Sequence, residues 1–500
     1  MKISKNYIKS ISLCFIILAI LIFTWILFVN PKLGVADQGD FDRVMNAVGL
    51  SLLDSDTNNP DFVRFYKYII TEYKINSVNN IFTTIIGTSM GALITLICFI
   101  CKLFGQYIFK TEYLAIAYFL IYLSAFLIIL KAINIKSTIK YIITAAFTLF
   151  IFFDGNYLVW FNSLYGEPMM ISTLILFIAS ILYYSYYKYS LKREDKLFSK
   201  IVYIFVCALL FIGSKLQVTM CLPFIVLLIG KIVLDNKKLL SKTNLLITIF
   251  LFICLIAYPI AINMSSGSLS KDTQYNSVFY GVLNGSDTPE QDLIDMGLNP
   301  DMAGEAGKHS YLPADQYVKY VPRTEITEKE FYSKMSNGKL AKFYLTHPKR
   351  LIEGMQYTAS KAFYTSTDLG KASQSYSEKE ITKFSRFTGW SYIRENLLPK
   401  KLWFIISIYL IMFIYSVTTY IRNKFNPDKR IKSLLLLTLI FISGLQFPMP
   451  FVGNGQADTG KQLYLFNFIF DIFFILILLC IIFKAIDYIK NKISKKQTTL

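Results

Sequence analysis

Between Ala36 and Arg43 the chain reads Ala-Asp-Gln-Gly-Asp-Phe-Asp-Arg, so Asp37, Asp40 and Asp42 fall within six residues, with Arg43 beside them. The stretch begins a few residues after a long apolar run, at the mouth of a would-be membrane helix. Carboxylates at the rim of a bilayer are costly unless solvated, paired or holding something. A carboxylate within hydrogen-bond reach of a hydroxyl can take its proton, so this cluster is a place for such chemistry; a solvated acidic loop is the plain alternative.

Three further polar stretches interrupt the apolar pattern. In Asn162-Ser163-Leu164-Tyr165-Gly166-Glu167-Pro168, Glu167 stands just before a proline that can begin a helix, where a carboxylate gains from the positive helix end. It is either a helix-capping acid or, with Asn162 and Tyr165, part of a wall of hydrogen-bonding groups for a sugar. In Gly213-Ser214-Lys215-Leu216-Gln217 the ammonium of Lys215 has no acidic neighbour in sequence and either snorkels or meets an anion, for which a phosphate is suited. Gln217 shares this break. The stretch Pro448–Gln462 is glycine-rich, carries Asp458 and Lys461, and does not match a nucleotide phosphate loop.

The elements that must position these residues are apolar runs. The chain has 500 residues, 54% of them apolar, gathered in runs long enough to span a bilayer. The net charge of +19 would suggest nucleic acid in another setting. Here Lys and Arg concentrate in short segments between the runs, as cytoplasmic loops do, so nucleic-acid binding is not expected. All seven cysteines lie in or at the end of apolar runs and imply no disulfide framework, and the two histidines exclude a histidine-rich metal site. No cofactor is called for; a carboxylate-bound divalent cation has no positive support.

Ile11 to Val29 follows Lys2, Lys5 and Lys9 and is expected as a retained signal anchor, although Gly34-Val35-Ala36 has the small-x-small form of a cleavage site. Further runs occupy roughly 81–101, 113–130, 139–153, 168–187, 201–234, 244–263, 402–421, 433–447 and 462–483. The 201–234 run is too long for one span and is expected as two short helices broken at Gly213–Gln217. Segments 131–140, 188–200, 231–242, 422–432 and 484–500 are basic and are placed in the cytoplasm. Alternation then leaves 154–167, the turn at Lys215, the 264–400 segment and 448–461 outside. Two full crossings between 81 and 130 would spoil the parity: the simplest repair is that 81–104 does not cross but dips in from outside or lies against the bundle, and a misplaced cytoplasmic end is the alternative. Trp160, Trp390 and Trp403 fall at outer boundaries, where amphipathic rings prefer to sit, and Phe62–Tyr68 reads as an interfacial segment.

The segment 264–400 is expected to be a small helical extracytoplasmic domain. Pro289 opens one helix that Gly297 closes, Thr327-Glu328-Lys329-Glu330 is a capping box for a second, and Pro348 starts a third. The expected architecture is an all-α polytopic membrane protein with about ten spanning helices, a membrane-surface or re-entrant helix and that outer domain. Residues 1–263 form an N-terminal transmembrane module with an outer loop at 30–80, and 401–500 a C-terminal set of helices with a basic tail.

In order, these stretches resemble the GT-C type of polytopic glycosyltransferase that uses polyprenyl-phosphate sugars. The carrying residues are Asp37–Asp40 after the first helix, Asn162–Glu167 in the next outer loop, Ser214-Lys215 between two short helices, and Lys102-Leu103-Phe104-Gly105 ending a surface helix. More narrowly the chain resembles WsfD-type hexose transferases of bacterial cell-surface glycan assembly, through Gly39-Asp40-Phe41 with Arg43, Asn162–Pro168, Val278–Leu283, Pro289–Leu293 with Gly297-Leu298, and Ala457-Asp458 with Lys461 and Leu465-Phe466-Asn467. The resemblance implies a GT-C-like bundle in the bacterial cytoplasmic membrane with its active site facing outside. It implies transfer of a hexose from a polyprenyl-phosphate donor to a glycan or lipid-linked acceptor, with Asp37 or Asp40 as base and Lys215, with Arg43 or Lys461, holding the phosphate. A lipid-sugar flippase, or a glycan polymerase or ligase, is the competing expectation. A transporter would show inverted repeats and midplane polar groups, and the sequence shows neither.

Overall fold

A computed structural model of the chain describes residues 5–57, 67–76, 87–265 and 269–497. Most of Phe62–Tyr68 and the start of the 81–104 run lie outside the described residues. The chain is an all-α polytopic membrane protein. Among the described residues eight helices are long and apolar enough to span: Tyr7–Leu27, Thr111–Ala132, Glu167–Ser190, Leu216–Leu239, Lys242–Met264, Leu402–Arg422, Pro427–Asn454 and Tyr464–Ile493. Thr138–Phe152 and Gly155–Phe161, bent by 53° at their junction, make a ninth if counted together. The expected figure of about ten also counted the run that becomes Leu197–Ile212. Its 16 residues, ended by Gly213, are short for a full crossing.

The break at Gly213–Gln217 appears as expected, with Leu197–Ile212 before it and a 3-10 turn, Leu216–Cys221, leading into Leu222–Asn236. Ser89–Leu103 has 15 residues, about 22 Å of helix against a hydrocarbon core of ~30 Å, so by length it is no span. Its first turn docks on that same break, Ser89 N donating to Gly213 O at 2.7 Å and Ser89 Oγ to Leu210 O at 2.7 Å.

Glu167–Ser190 is the central helix. Within its apolar window 78% is buried, against 22% for Lys242–Met264 and for Leu402–Arg422. It packs between Thr111–Ala132 and Leu197–Ile212, and a helix apolar on every side belongs inside a bundle. One continuous core joins the N-terminal helices to Met412, Leu435, Leu439 and the Tyr464–Leu479 face of the last helix.

The 154–167 break is not a solvated loop. Residues from Asp154 to Tyr165 are buried, and Asp154 is tied to Asn156 N at 3.0 Å and Ser391 Oγ at 2.7 Å. This corrects the placing of two tryptophans at the membrane rim. Trp160 is fully buried, and Trp390 is buried with its indole N–H donating to Asp471 Oδ2 at 2.8 Å. Trp403 is exposed.

A three-stranded antiparallel sheet, Leu50–Ser51, Glu72–Ile75 and Ile108–Lys110, pairs Leu50 with Ile75 and Tyr73 with Phe109. It was not foreseen, because strands of two to four residues are too short to show alternation. Beyond residue 269, Pro289–Asp295, Asn337–Thr346 and Pro348–Lys361 are helices. The capping box does not form at Thr327. The helix begins at Glu325 after Thr324, and the Thr327 hydroxyl donates to Val321 O at 2.7 Å instead. These short helices share their own core, which Phe451 completes from the C-terminal part of the chain.

Candidate active site

The acidic loop is held from two sides. Gly34 N donates to Lys371 O at 3.0 Å and Ala36 N to Gly370 O at 2.9 Å, so 34–36 pairs edge to edge with 370–371. A side chain at Gly34 would lie 2.5 Å from the carbonyl of Asn162, and one at Gly370 would lie 1.8 Å from that of Lys67. Small residues at Gly34-Val35-Ala36 thus have a packing reason. Lys371 is buried and donates to Thr367 O, Thr367 Oγ1 and Leu369 O at 2.6–3.1 Å; burial pulls its ammonium down to about 7. From the other side Asn162 Nδ2 donates to Leu33 O at 2.9 Å, its Oδ1 accepts the Thr111 hydroxyl at 2.5 Å, and Tyr165 Oη donates to Ala36 O at 3.1 Å. Asn162 therefore spends its amide N–H and Tyr165 its hydroxyl on the loop that follows the first helix, while the Asn162 oxygen is taken by Thr111. This differs from the free sugar-binding wall anticipated for them.

Asp37 turns inward. Its Oδ1 accepts the backbone N–H groups of Gly39, Asp40 and Phe41 at 2.8, 2.8 and 3.1 Å, and the residue is 3% exposed. It starts the Phe41–Val48 helix, whose Phe41, Met45 and Val48 are buried. Burial outweighs those amide bonds and lifts its carboxyl to about 6. Because that value is raised, the folded protein holds the proton more tightly than the unfolded chain. The associated stability is present below the ordinary carboxylate value and is lost as pH rises through about 6. Asp37→Asn, which keeps the accepting oxygen, is expected to melt at or above the wild-type temperature at pH 8. Asp37→Ala, which strands three amides, should melt lower at every pH. Thermal scans between pH 5 and 8 read both.

Asp40 turns outward, into charge. Its Oδ2 accepts Lys461 Nζ at 2.8 Å, and its Oδ1 accepts Arg43. Burial alone would raise the Asp40 carboxyl, but Lys461, Lys215 and Arg43 hold it well below the usual carboxylate range. Burial likewise works against the Lys461 ammonium, while Asp40, Asp458 and Glu167 keep it charged above the usual lysine value. Lys461 also sits 5.4 Å from the centre of the Tyr165 ring, which stacks edge-on with Phe41.

Lys215 is not the unpaired ammonium that its sequence neighbours suggest. It donates to Glu167 Oε1 at 2.6 Å, and Glu167 is fully buried at the head of the central helix, its Oε2 without a hydrogen-bond partner among the described residues. The last loop closes the set, Asp458 Oδ1 accepting Gln38 Nε2 from the acidic loop. Gln217 lies apart from this exchange: its Nε2 donates to Gln446 Oε1 at 3.1 Å and Gln446 returns a bond to Gln217 O at 3.2 Å.

Asp40, Glu167 and Asp458 thus meet Arg43, Lys215 and Lys461, three carboxylates against three cations drawn from four separate stretches. Such a set can hold an anion by exchanging partners and keeps a carboxylate at hand for a proton. Gln38 was missed as a participant; standing next to Asp37 in the acidic stretch was its only signal. The 370–371 strap gave none.

The fold and this cluster define a polytopic helical membrane protein in which loops far apart in sequence converge on one charged site. The family model for the YfdI N-terminal transmembrane domain matches residues 1–500, and the chain belongs to that family, one of GT-C-like membrane proteins of glycosyltransferase type. No curated protein and no solved structure matches it.

Proposed function

We propose that the chain transfers a hexose from a polyprenyl-phosphate donor to a glycan or lipid-linked acceptor at the outer face of the bacterial cytoplasmic membrane. The observation that carries this reading is the meeting of Asp40, Arg43, Lys461 and Lys215 in one balanced cluster. The donor is a phosphodiester carrying one negative charge. Its phosphate takes bonds from Lys461, Lys215 and Arg43, and as Lys461 and Arg43 turn to it, Asp40 loses the charges that suppress its basicity. An acceptor hydroxyl then gives its proton to Asp40 as its oxygen bonds to the sugar C1. The bond from C1 to the phosphate oxygen breaks, and polyprenyl phosphate leaves with the electron pair. The cations stabilise the charge that gathers on it. Glu167 keeps Lys215 aimed, and Asp37 shapes the loop; Asp40 is the base because Asp37 is committed to three amides.

A donor-binding measurement tests this assignment. Lys215→Met is expected to weaken binding of polyprenyl phosphate to the purified protein by about 10-fold, the loss of one charge-assisted hydrogen bond. Unchanged affinity would remove Lys215 from the phosphate site. The membrane orientation has its own test. In a background without native cysteines, cysteines at Asp287 and Gln456 should react with an impermeant thiol reagent added outside intact cells, and those at Arg193 and Lys429 should not. Labelling at Arg193 would separate the cluster from the outer face.

A further inference from the structure

A second polar hollow lies beside the cluster without belonging to it. It is a cavity of about 230 Å³ between the 281–285 turn, the Asn337–Thr346 and Pro348–Lys361 helices and the 451–456 stretch. That is far more than the ~10–15 Å³ that one water needs. Tyr344, Tyr357 and Phe451 supply aromatic rings, with the Phe451 ring centre 6.3 Å from Tyr344 and 6.1 Å from Tyr357. Arg350, Glu353 and Gln456 supply polar groups. Gly354 makes room for this arrangement, since a side chain there would meet the Phe451 ring at 2.1 Å.

Two features decide what the hollow would take. The Tyr344 hydroxyl is buried, not open to the hollow that its residue lines, and has no hydrogen-bond partner among the described residues, which is costly for a polar group and leaves a donor for a ligand that reaches it. Arg350, the cation among the described lining residues, is already spent: it donates to Asp292 at 3.0 Å and Ser286 at 2.6 Å, and lies 3.7 Å from Glu353. A hollow with no spare positive charge disfavours phosphate. Aromatic faces with a hydroxyl, a carboxylate and an amide suit a neutral ring bearing hydroxyls.

The hollow also communicates with the charged cluster. Gln456 N donates to Tyr280 O at 3.1 Å, and its carbonyl accepts the Tyr357 hydroxyl at 3.2 Å. Two residues on, Asp458 receives Gln38 of the acidic loop. We infer that this hollow is a subsite for a neutral pyranose unit of the acceptor saccharide, one that seats the acceptor beside the loop carrying Asp458 and Lys461. The word acceptor rests on the function proposed above; the pyranose site itself does not.

Saturation-transfer NMR on the full chain in detergent tests it, with methyl glucopyranoside, galactopyranoside, mannopyranoside and N-acetylglucosaminide as probes. At least one pyranoside is expected to bind the wild type. Tyr344→Phe, which keeps the ring, and Glu353→Gln, at a half-exposed surface position, should each weaken it by about 2–10-fold. Lys215→Met should bind the same sugar as the wild type does. Absence of binding for every pyranoside would overturn the proposal, as would wild-type affinity in both Tyr344→Phe and Glu353→Gln. Equal weakening by Lys215→Met would place the sugar in the charged cluster and overturn it too. Failure of hexose transfer with pyranoside binding intact would strike the proposed function and leave the subsite standing.

Discussion

Asp40→Asn is expected to lower the rate of hexose transfer by about 10²–10⁴-fold, the range that general-base catalysis contributes. The amide keeps the size of the side chain and can still accept from Arg43 or Lys461, so the loop should fold and the phosphate should still bind. What disappears is the capacity to take a proton. Asp37→Asn makes the comparison informative, because its accepting oxygen continues to hold the amides of Gly39, Asp40 and Phe41. Its cost should be under about 10-fold, as expected for a residue outside the proton transfer. Initial rates of the two variants decide which carboxylate is the base. A larger loss at Asp37 would reverse the assignment.

Arg394→Met is expected to destabilise the protein by about 3–5 kcal/mol, the usual cost of leaving one member of a buried ion pair alone. Arg394 and Asp471 are both fully buried and lie 2.7 Å apart. Asp471 Oδ2 also accepts Tyr157 Oη at 2.7 Å and Trp390 Nε1 at 2.8 Å, so the carboxylate would be left with neutral donors only. The consequence reaches the site. Arg394 also donates to Thr365, and its neighbour Glu395 accepts the amides of Thr365 and Ser366 at 2.8 and 2.9 Å. Those residues lead into the strap at 370–371 that pairs with the acidic loop. Thermal scans in detergent should show a large fall for Arg394→Met. The double variant Arg394→Met with Asp471→Leu should recover much of it, because neither member of the pair is then left alone.

Much of this arrangement was legible in the sequence because bilayers impose a simple grammar. Apolar runs of fixed length and basic segments between them gave the polytopic helical framework and the break at Gly213–Gln217. The same grammar isolated the polar exceptions, and Asp40, Glu167, Lys215, Asp458 and Lys461 do stand together. What it could not supply was pairing. Glu167 and Lys215 are 48 residues apart and Asp40 and Lys461 are 421 apart, and no local pattern encodes such partners. Trp160 shows the same limit: its position between apolar runs suggests an outer boundary, yet the ring is fully buried within the protein. Nor could sequence alone separate Asp37 from Asp40. The difference lies in which one faces backbone amides and which one faces two cations.

The most direct test of the central claim is the initial rate of hexose transfer by the purified full chain in proteoliposomes, supplied with radiolabelled polyprenyl-phosphate hexose and a glycan acceptor. Label is expected to move to the acceptor in the wild type, with a fall of about 10²–10⁴-fold in Asp40→Asn. Transfer that proceeds equally fast in Asp40→Asn and Asp37→Asn would contradict the claim, and so would label that crosses the bilayer with its donor lipid and is never transferred.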